Sequence, residues 1–196
     1  MEKVLRKYID SNCKNGKEEL RKLLQQTSSI DRYSLLMNVR GNKYNGNTGP
    51  NTAANYNDFE STKDMLKGLT GDQKYDVLKI QSGNGISALH HLAWGGYTSI
   101  ITYLLTDLSQ QGKYNLLQLQ KIDGDTPLHD AASQQKSEAI QTILTSLSSQ
   151  QQIQLLNIKN KKGQTVVDIG PEVYKEHPVL ISLGIVILYI LQQKYF

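Results

Sequence analysis

Residues 124–129 read GDTPLH, and the same pattern occurs as GISALH at residues 85–90 and as GQTVVD at residues 163–168. The interval is 39 residues in both cases, with no insertion or deletion between the glycines. A fixed period of about 20 to 50 residues is typical of stacked repeat proteins, in which one unit cannot bury its own apolar face. The period therefore predicts an elongated array of small units, and it makes binding the expected function.

The residues that follow the first two copies have helical periodicity. Apolar side chains recur there at intervals of three and four residues, which marks one buried face of a helix. They are Leu92, Ala93, Ile100, Ile101, Leu104 and Leu105 in one unit, and Ala131, Ala132, Ala139, Ile140, Ile143 and Leu144 in the next. Each unit is therefore predicted to contain a pair of short helices at the same register.

The phrase and its helices resemble the ankyrin repeat, whose signature runs G-x-T-P-L-H-x-A-A. Residues 124–132 match this signature throughout, whereas residues 85–93 carry Ala88 in place of the proline and Leu92 in place of the first alanine. Thr126 can cap the first helix through its hydroxyl, and Pro127 takes the first helical position, where a missing N–H costs nothing.

The resemblance also implies roles for two histidines. His90 and His129 occupy the signature position of the histidine that hydrogen-bonds the backbone loops of adjacent repeats. A structural role is therefore expected for both. In the third copy Asp168 stands at this position.

The resemblance implies an all-α fold, an ankyrin-type helical solenoid with short hairpin loops. The period of 39 residues exceeds the family's usual period of about 33. The added residues lie between the second helix and the next hairpin, where Thr70 and Gln73 form a capping-box pattern. We therefore predict an additional short helix in each repeat.

Weaker copies extend the array toward the N-terminus and give about four and a half repeats. Residues 1–43 are predicted to form an N-terminal helical cap, a degenerate half repeat without its opening hairpin. Residues 44–170 are predicted to form the ankyrin repeats. Residues 171–196 are predicted to form an apolar helix that closes the last repeat.

The apolar run at residues 179–191 allows more than one interpretation. Its first turn fits the register of the last repeat, but the run then stays apolar on all sides. It can be buried against the array or exposed as a contact for another protein. The alternative is a membrane anchor through residues 178–196, although thirteen residues are fewer than the roughly 20 that span a bilayer.

Composition and charge favour a cytoplasmic protein that does not bind nucleic acid. The single Cys13 suits a reducing compartment, and the charged start of the chain is unlike a secretory signal peptide. Membrane attachment with the repeats facing the cytosol is the alternative location. The excess positive charge lies in residues 1–43, and no arginine follows Arg40. Phosphate recognition relies on clustered arginine and lysine, so this distribution argues against nucleic acid.

The histidines, the cysteine and the glycine-rich stretch do not match the sequence patterns of a metal site, a catalytic nucleophile or a phosphate-binding loop. His90 and His91 are adjacent and would point about 100° apart on a helix, so they cannot converge on one metal ion. Cys13 lies near Lys14 and Lys17, but a lone cysteine without an identified base is a poor candidate nucleophile. The glycines of residues 41–49 lack the Gly-Lys pair of a phosphate-binding loop. We therefore expect no enzymatic activity, no metal site and no cofactor.

The resemblance implies that a partner protein would contact the hairpin tips and the exposed face of the first helix. By register, the expected contacts are Asn84, Ile86, Asp123, Asp125, Lys161, Lys162 and Gln164 at the hairpins, and Trp94, Ser133 and Gln134 on the helices. Trp94 is the only tryptophan and is a candidate interface anchor. The alternative is that its ring packs on Tyr56 or His91.

Overall fold

The computed structural model describes residues 1–41 and 46–170. Within these two ranges every regular element is a helix, and there is no strand. The helices are α1 (Glu2–Asp10), α2 (Lys17–Gln26), α3 (Ser29–Asn38), α4 (Gly49–Asn55), α5 (Phe59–Leu66), α6 (Gly71–Leu78), α7 (Ala88–Gly95), α8 (Thr98–Leu105), α9 (Gln110–Leu117), α10 (Pro127–Ser133), α11 (Ser137–Thr145), α12 (Ser149–Leu156) and α13 (Val166–Ile169).

The helices form a repeating triplet that stacks in one direction. We call the first helix of each triplet the inner helix, the second the outer helix and the third the added helix. Inner helices α1, α4, α7, α10 and α13 pack in that order, and the added helices α3, α6, α9 and α12 do the same. Outer helix α2 contacts α5, and α8 contacts α11. The predicted all-α helical solenoid is therefore confirmed.

The first triplet is the segment predicted as half a repeat. Residues 1–41 carry α1, α2 and α3, so an inner, an outer and an added helix are all present. The described chain thus contains four triplets and the first helix of a fifth.

The added helix forms because its start is capped in every unit. The side chains of Ser28, Thr70, Ser109 and Ser148 each accept a hydrogen bond from the backbone N–H three residues later. At Thr70 the Gln73 side chain also accepts from the Thr70 N–H, at 3.0 Å, which completes a capping box. A cap of this kind contributes about 1 kcal/mol to helix stability. The additional helix predicted from the longer period is confirmed.

The core runs along the stack between the inner, outer and added helices. Ala54, Ala93 and Ala132 share one register position on successive inner helices and are all buried. Small side chains there allow neighbouring inner helices to approach closely. Larger apolar residues fill the space behind them, among them Ile101, Leu104 and Ile143, which have no exposed surface. Each such side chain contributes about 1.5–3 kcal/mol through burial.

The apolar run at residues 179–191 lies outside the described residues, as does the whole predicted closing helix. The predictions of burial, protein contact or membrane insertion for this segment therefore stay predictions. Within residues 1–41 and 46–170, no helix has the length and apolar character needed to cross a membrane.

Candidate partner-binding surface

Three described hairpins, which we number first (residues 82–86), second (residues 121–125) and third (residues 160–164), are each closed by the same pair of backbone hydrogen bonds. Lys121 N–H donates to Asp125 O at 2.9 Å, and Gly124 N–H donates to Lys121 O at 2.9 Å. The same two bonds recur one unit earlier and one unit later. Gly124 has a φ of +86°, a backbone conformation that residues with a Cβ rarely adopt. The glycines recur at a constant interval because this turn requires a positive φ at that position.

Neighbouring hairpins are bonded to one another. Ile122 N–H donates to Asn84 O at 3.0 Å, and Lys161 N–H donates to Asp123 O at 2.9 Å. The amide of Gln120 adds a bond from its Nε2 to Lys159 O at 3.1 Å. These bonds connect the hairpins into one row and hold the backbone at their tips.

Buried histidines connect each inner helix to the next hairpin. His90 Nε2 lies 3.2 Å from Asp125 O, and His129 Nε2 lies 3.3 Å from Gln164 O. Because a carbonyl oxygen only accepts, Nε2 carries the proton and Nδ1 is free to accept from Ser87 N–H at 3.2 Å. Burial lowers the pKa of His90 to about 3, so its ring is neutral. The structural role that the resemblance implies for both histidines is confirmed.

Asn51 makes the same connection in the unit before, and the sequence analysis missed it. Its Nδ2 donates to Ile86 O at 3.1 Å, and Ile86 precedes Asp125 by one repeat. Thr48 caps the helix by accepting from Asn51 N–H at 3.2 Å, as Thr126 does for His129. The available signal was the position of Asn51, which lies 39 residues before His90.

The second hairpin contains a compact charged cluster. Lys121 Nζ lies 2.7 Å from Asp130 Oδ1, 3.5 Å from Asp123 Oδ2 and 3.8 Å from Asp125 Oδ2. Burial raises the pKa of Asp130 to about 6, even though Lys121 donates to it. The ammonium group thus holds three carboxylates together at the base of this hairpin.

Most of the expected contact residues are exposed. These are Asn84, Trp94, Asp123, Ser133, Gln134, Lys161 and Lys162. Three others, Ile86, Asp125 and Gln164, are half-buried, and their backbone oxygens accept from Asn51, His90 and His129. Asp125 is further held by Asn160, whose Nδ2 donates to its Oδ1 at 2.8 Å. Ile86, Asp125 and Gln164 therefore connect neighbouring units through their backbone oxygens. The accessible residues of each hairpin lie one to three positions before them.

Large apolar side chains are exposed on a hairpin and near the ends of two inner helices. Trp94 is 57% exposed, Ile122 is 59% exposed and Tyr56 is 44% exposed. This exposure leaves more than half of the Trp94 surface accessible, and both the anchor role and the alternative packing on Tyr56 or His91 stay predictions. Tyr56 was not predicted as a contact residue, although it lies 39 residues before Gly95 at the end of the preceding inner helix. We use the name hairpin surface for the exposed tip residues and four residues of the inner helices and their ends. The tip residues are Asn84, Ile122, Asp123, Lys161 and Lys162, and the other four are Tyr56, Trp94, Ser133 and Gln134.

Cys13 and His91 are two described side chains with potential for chemistry, and burial shifts the pKa of both. Within the two described ranges, no three residues among His, Cys, Asp and Glu are placed to hold a metal ion. Burial raises the pKa of the Cys13 thiol to about 11, so the thiol is protonated and a poor nucleophile. Burial also lowers the pKa of His91 to about 4.

The stacked triplets and the bonded hairpin row define a helical repeat solenoid. A family model for ankyrin repeats matches residues 51–156 in three copies, which is more than half of the 196 residues. The chain therefore belongs to the ankyrin repeat family. No curated protein matches it in sequence. Ankyrin repeats are generally protein-interaction modules and typically have no catalytic activity.

Proposed function

We propose that this protein is a binding module without catalytic activity that holds a partner protein against its hairpin surface. Residues 44–170 provide the binding surface, and residues 1–43 cap the stack. The observation that carries this proposal is the exposure of Trp94 and Ile122 beside a row of hairpins bonded to one another.

The exposed apolar side chains supply the driving force for binding. Tryptophan is among the residue types most enriched at the centres of protein interfaces. Covering Trp94 and Ile122 would remove apolar surface from water, at roughly 25 cal/mol for each Å² buried. Both side chains are anchored in regular backbone, Trp94 in α7 and Ile122 in a hairpin bonded to Asn84.

The bonded row also lowers the cost of binding. The Asn84–Ile122 and Asp123–Lys161 backbone bonds hold the tips in place before a partner arrives. Binding to a preorganised surface loses little conformational entropy. The same rigidity makes the spacing of the tips a basis for selecting between partners.

The proposal is tested with binders selected from a displayed library of peptides or small domains against the full chain. Trp94→Ala should weaken the affinity of the selected binders by about 10- to 100-fold, as expected for an interface anchor. Its thermal stability should change little, because the ring is mostly exposed. Ile30→Ala is the matched control, since Ile30 is 73% exposed but lies on the added helix α3. Binders that lose affinity with Ile30→Ala and not with Trp94→Ala would contradict the proposal.

A further inference from the structure

The charge of the hairpin tips changes along the row. The first hairpin has no charged residue at its tip, where Gly83 and Asn84 lie. In the second hairpin Lys121 is compensated by three aspartates. The third hairpin carries Lys159, Lys161 and Lys162, and all three are exposed. In the described part of the chain none of these lysines is paired with a carboxylate.

The backbone that carries these lysines is held by its neighbours. Asn160 is 9% exposed, and its Oδ1 accepts from Lys162 N–H and Gln164 N–H, each at 3.0 Å. Lys161 N–H donates to Asp123 O, and Lys159 O accepts from Gln120. Three unpaired ammonium groups are therefore presented from a fixed turn, and a patch of this kind attracts carboxylates.

An apolar position lies next to this patch. Ile122 occupies in the second hairpin the register position that Lys161 occupies in the third, and it is 59% exposed. Trp94 lies on the inner helix α7, which follows the first hairpin. The hairpin surface is therefore cationic at the third hairpin and apolar at Ile122 in the second hairpin and at Trp94 on α7.

We infer that the partner presents an acidic segment, with carboxylates opposite Lys159, Lys161 and Lys162 and an apolar side chain on Ile122 and Trp94. This inference rests on the proposed function and adds the chemistry of the partner. A protein segment can alternate acidic and apolar residues at the spacing of the tips. Such a segment can place a neutral residue opposite Asp123, whose side chain is 57% exposed, whereas a nucleic acid carries a phosphate at every step and would bring one against that carboxylate.

The test uses the full chain and fluorescein-labelled synthetic peptides built from Glu-Glu-Leu triplets. The controls are the Gln-Gln-Leu analogue and a single-stranded oligo(dT). Two protein variants are compared with the wild type, one with Lys159, Lys161 and Lys162 changed to Gln, and one with Lys3, Lys14 and Lys22 changed to Gln. The control lysines are exposed and lie in the first triplet, so both variants lose the same net charge.

The acidic peptide should bind the wild type and the control variant with similar affinity. It should bind the hairpin variant about tenfold more weakly, since three exposed ion pairs are lost. The affinity for the wild type should fall as the ionic strength rises from about 0.05 M to about 0.5 M. Fluorescence of Trp94, the only tryptophan, should shift to shorter wavelength as the peptide covers the indole.

Other outcomes would overturn the inference. Equal weakening by the two variants would mean that net charge alone drives binding. Tighter binding of the oligonucleotide, lost in the hairpin variant, would assign the patch to nucleic acid. If the Gln-Gln-Leu peptide shifts the Trp94 emission as strongly as the acidic peptide, the surface binds proteins but without the inferred charge preference. If neither peptide binds, the acidic-segment inference fails, while the selected-binder experiment with Trp94→Ala still decides the proposed function.

Discussion

His90 Nε2 lies 3.2 Å from the backbone oxygen of Asp125, so a side chain on one inner helix is bonded to the hairpin of the next unit. His129 and Asn51 make the corresponding bonds to Gln164 and Ile86, each to a residue 35 positions further along the chain. The coupling between units therefore depends on a polar side chain at one register position, and an amide can replace the imidazole.

We expect His90→Ala to lower the free energy of unfolding by about 2–4 kcal/mol, because it leaves buried backbone groups unpaired. His90→Asn should cost clearly less, since Asn51 makes the same bond from the equivalent position. Urea denaturation followed by circular dichroism measures both values. His91→Ala is the control for loss of an imidazole, because the buried Nε2 of His91 has no hydrogen-bond partner. Equal losses for His90→Ala and His90→Asn would mean that packing, rather than the bond, couples the units.

Stability should decrease as the pH falls below about 6.5. Burial lowers the pKa of His90 to about 3 and that of His91 to about 4, from an ordinary value of 6.5. Between these values the unfolded chain binds more protons than the folded chain. Each such histidine therefore contributes stability that is fully present above about pH 6.5 and is lost at roughly 1.4 kcal/mol per pH unit below it. Urea titrations between about pH 7 and about pH 5 measure this slope.

Asp130 opposes the histidines in the same range. Burial raises its pKa from 3.8 to about 6, so the folded chain gains this proton first as the pH falls. Its protonation therefore stabilises the fold between about pH 6 and about pH 4. Asp130→Asn should make the loss of stability with falling pH steeper, and His90→Asn should make it shallower. Parallel slopes for the wild type and both variants would show that other groups control the acid sensitivity.

We expect Ser146→Asp to stabilise the protein. Lys74 Nζ lies 2.9 Å from Asp107 Oδ2 between the second and third triplets. Lys113 and Ser146 lie 39 residues after Lys74 and Asp107, and both line an open cavity of about 320 Å³. A carboxylate there should pair with Lys113 and add about 0.3–1 kcal/mol, the usual range for an exposed pair.

The gain should be absent in a Lys113→Met background and smaller in about 1 M salt. Chemical denaturation of the two single variants and the double variant completes the thermodynamic cycle. A gain that persists without Lys113 would point to a helix-end or solvation effect instead of the ion pair.

Gly124→Ala should cost more stability than Gly163→Ala. Both glycines have a positive φ, +86° and +75°, so an alanine is strained at either position. At Gly124 a Cβ would also lie 2.6 Å from Lys161 N, in the backbone of the next hairpin, whereas at Gly163 no atom lies within 4 Å of it. We expect a loss of about 1 kcal/mol at Gly163 and about 2–4 kcal/mol at Gly124.

Thermal denaturation of the two variants gives the difference directly. Amide hydrogen exchange at Lys161, whose N–H donates to Asp123 O, should speed up only in Gly124→Ala. Equal destabilisation by both substitutions would show that the strained φ alone matters and that the hairpins can move apart.

The repeating unit of this protein can be predicted from residues that are close together in the chain. The sequence predicts the period of 39 residues, the helix caps and the structural roles of His90 and His129. Each of these features depends on residues that are close in sequence or one repeat apart. The sequence also predicts the added helix, because the capping residues Thr70 and Gln73 lie at its start.

Which side chains are accessible depends on how the units stack. Asp125 and Trp94 both looked like contact residues, yet Asp125 is held by His90 and Asn160 while Trp94 is 57% exposed. The role of Asn51 and the position of Lys113 beside a cavity also depend on how the units stack. The exposure of a side chain and its hydrogen-bond or ion-pair partners depend on the neighbouring unit in the stack. The sequence pattern of one unit does not show which of its side chains that neighbour covers.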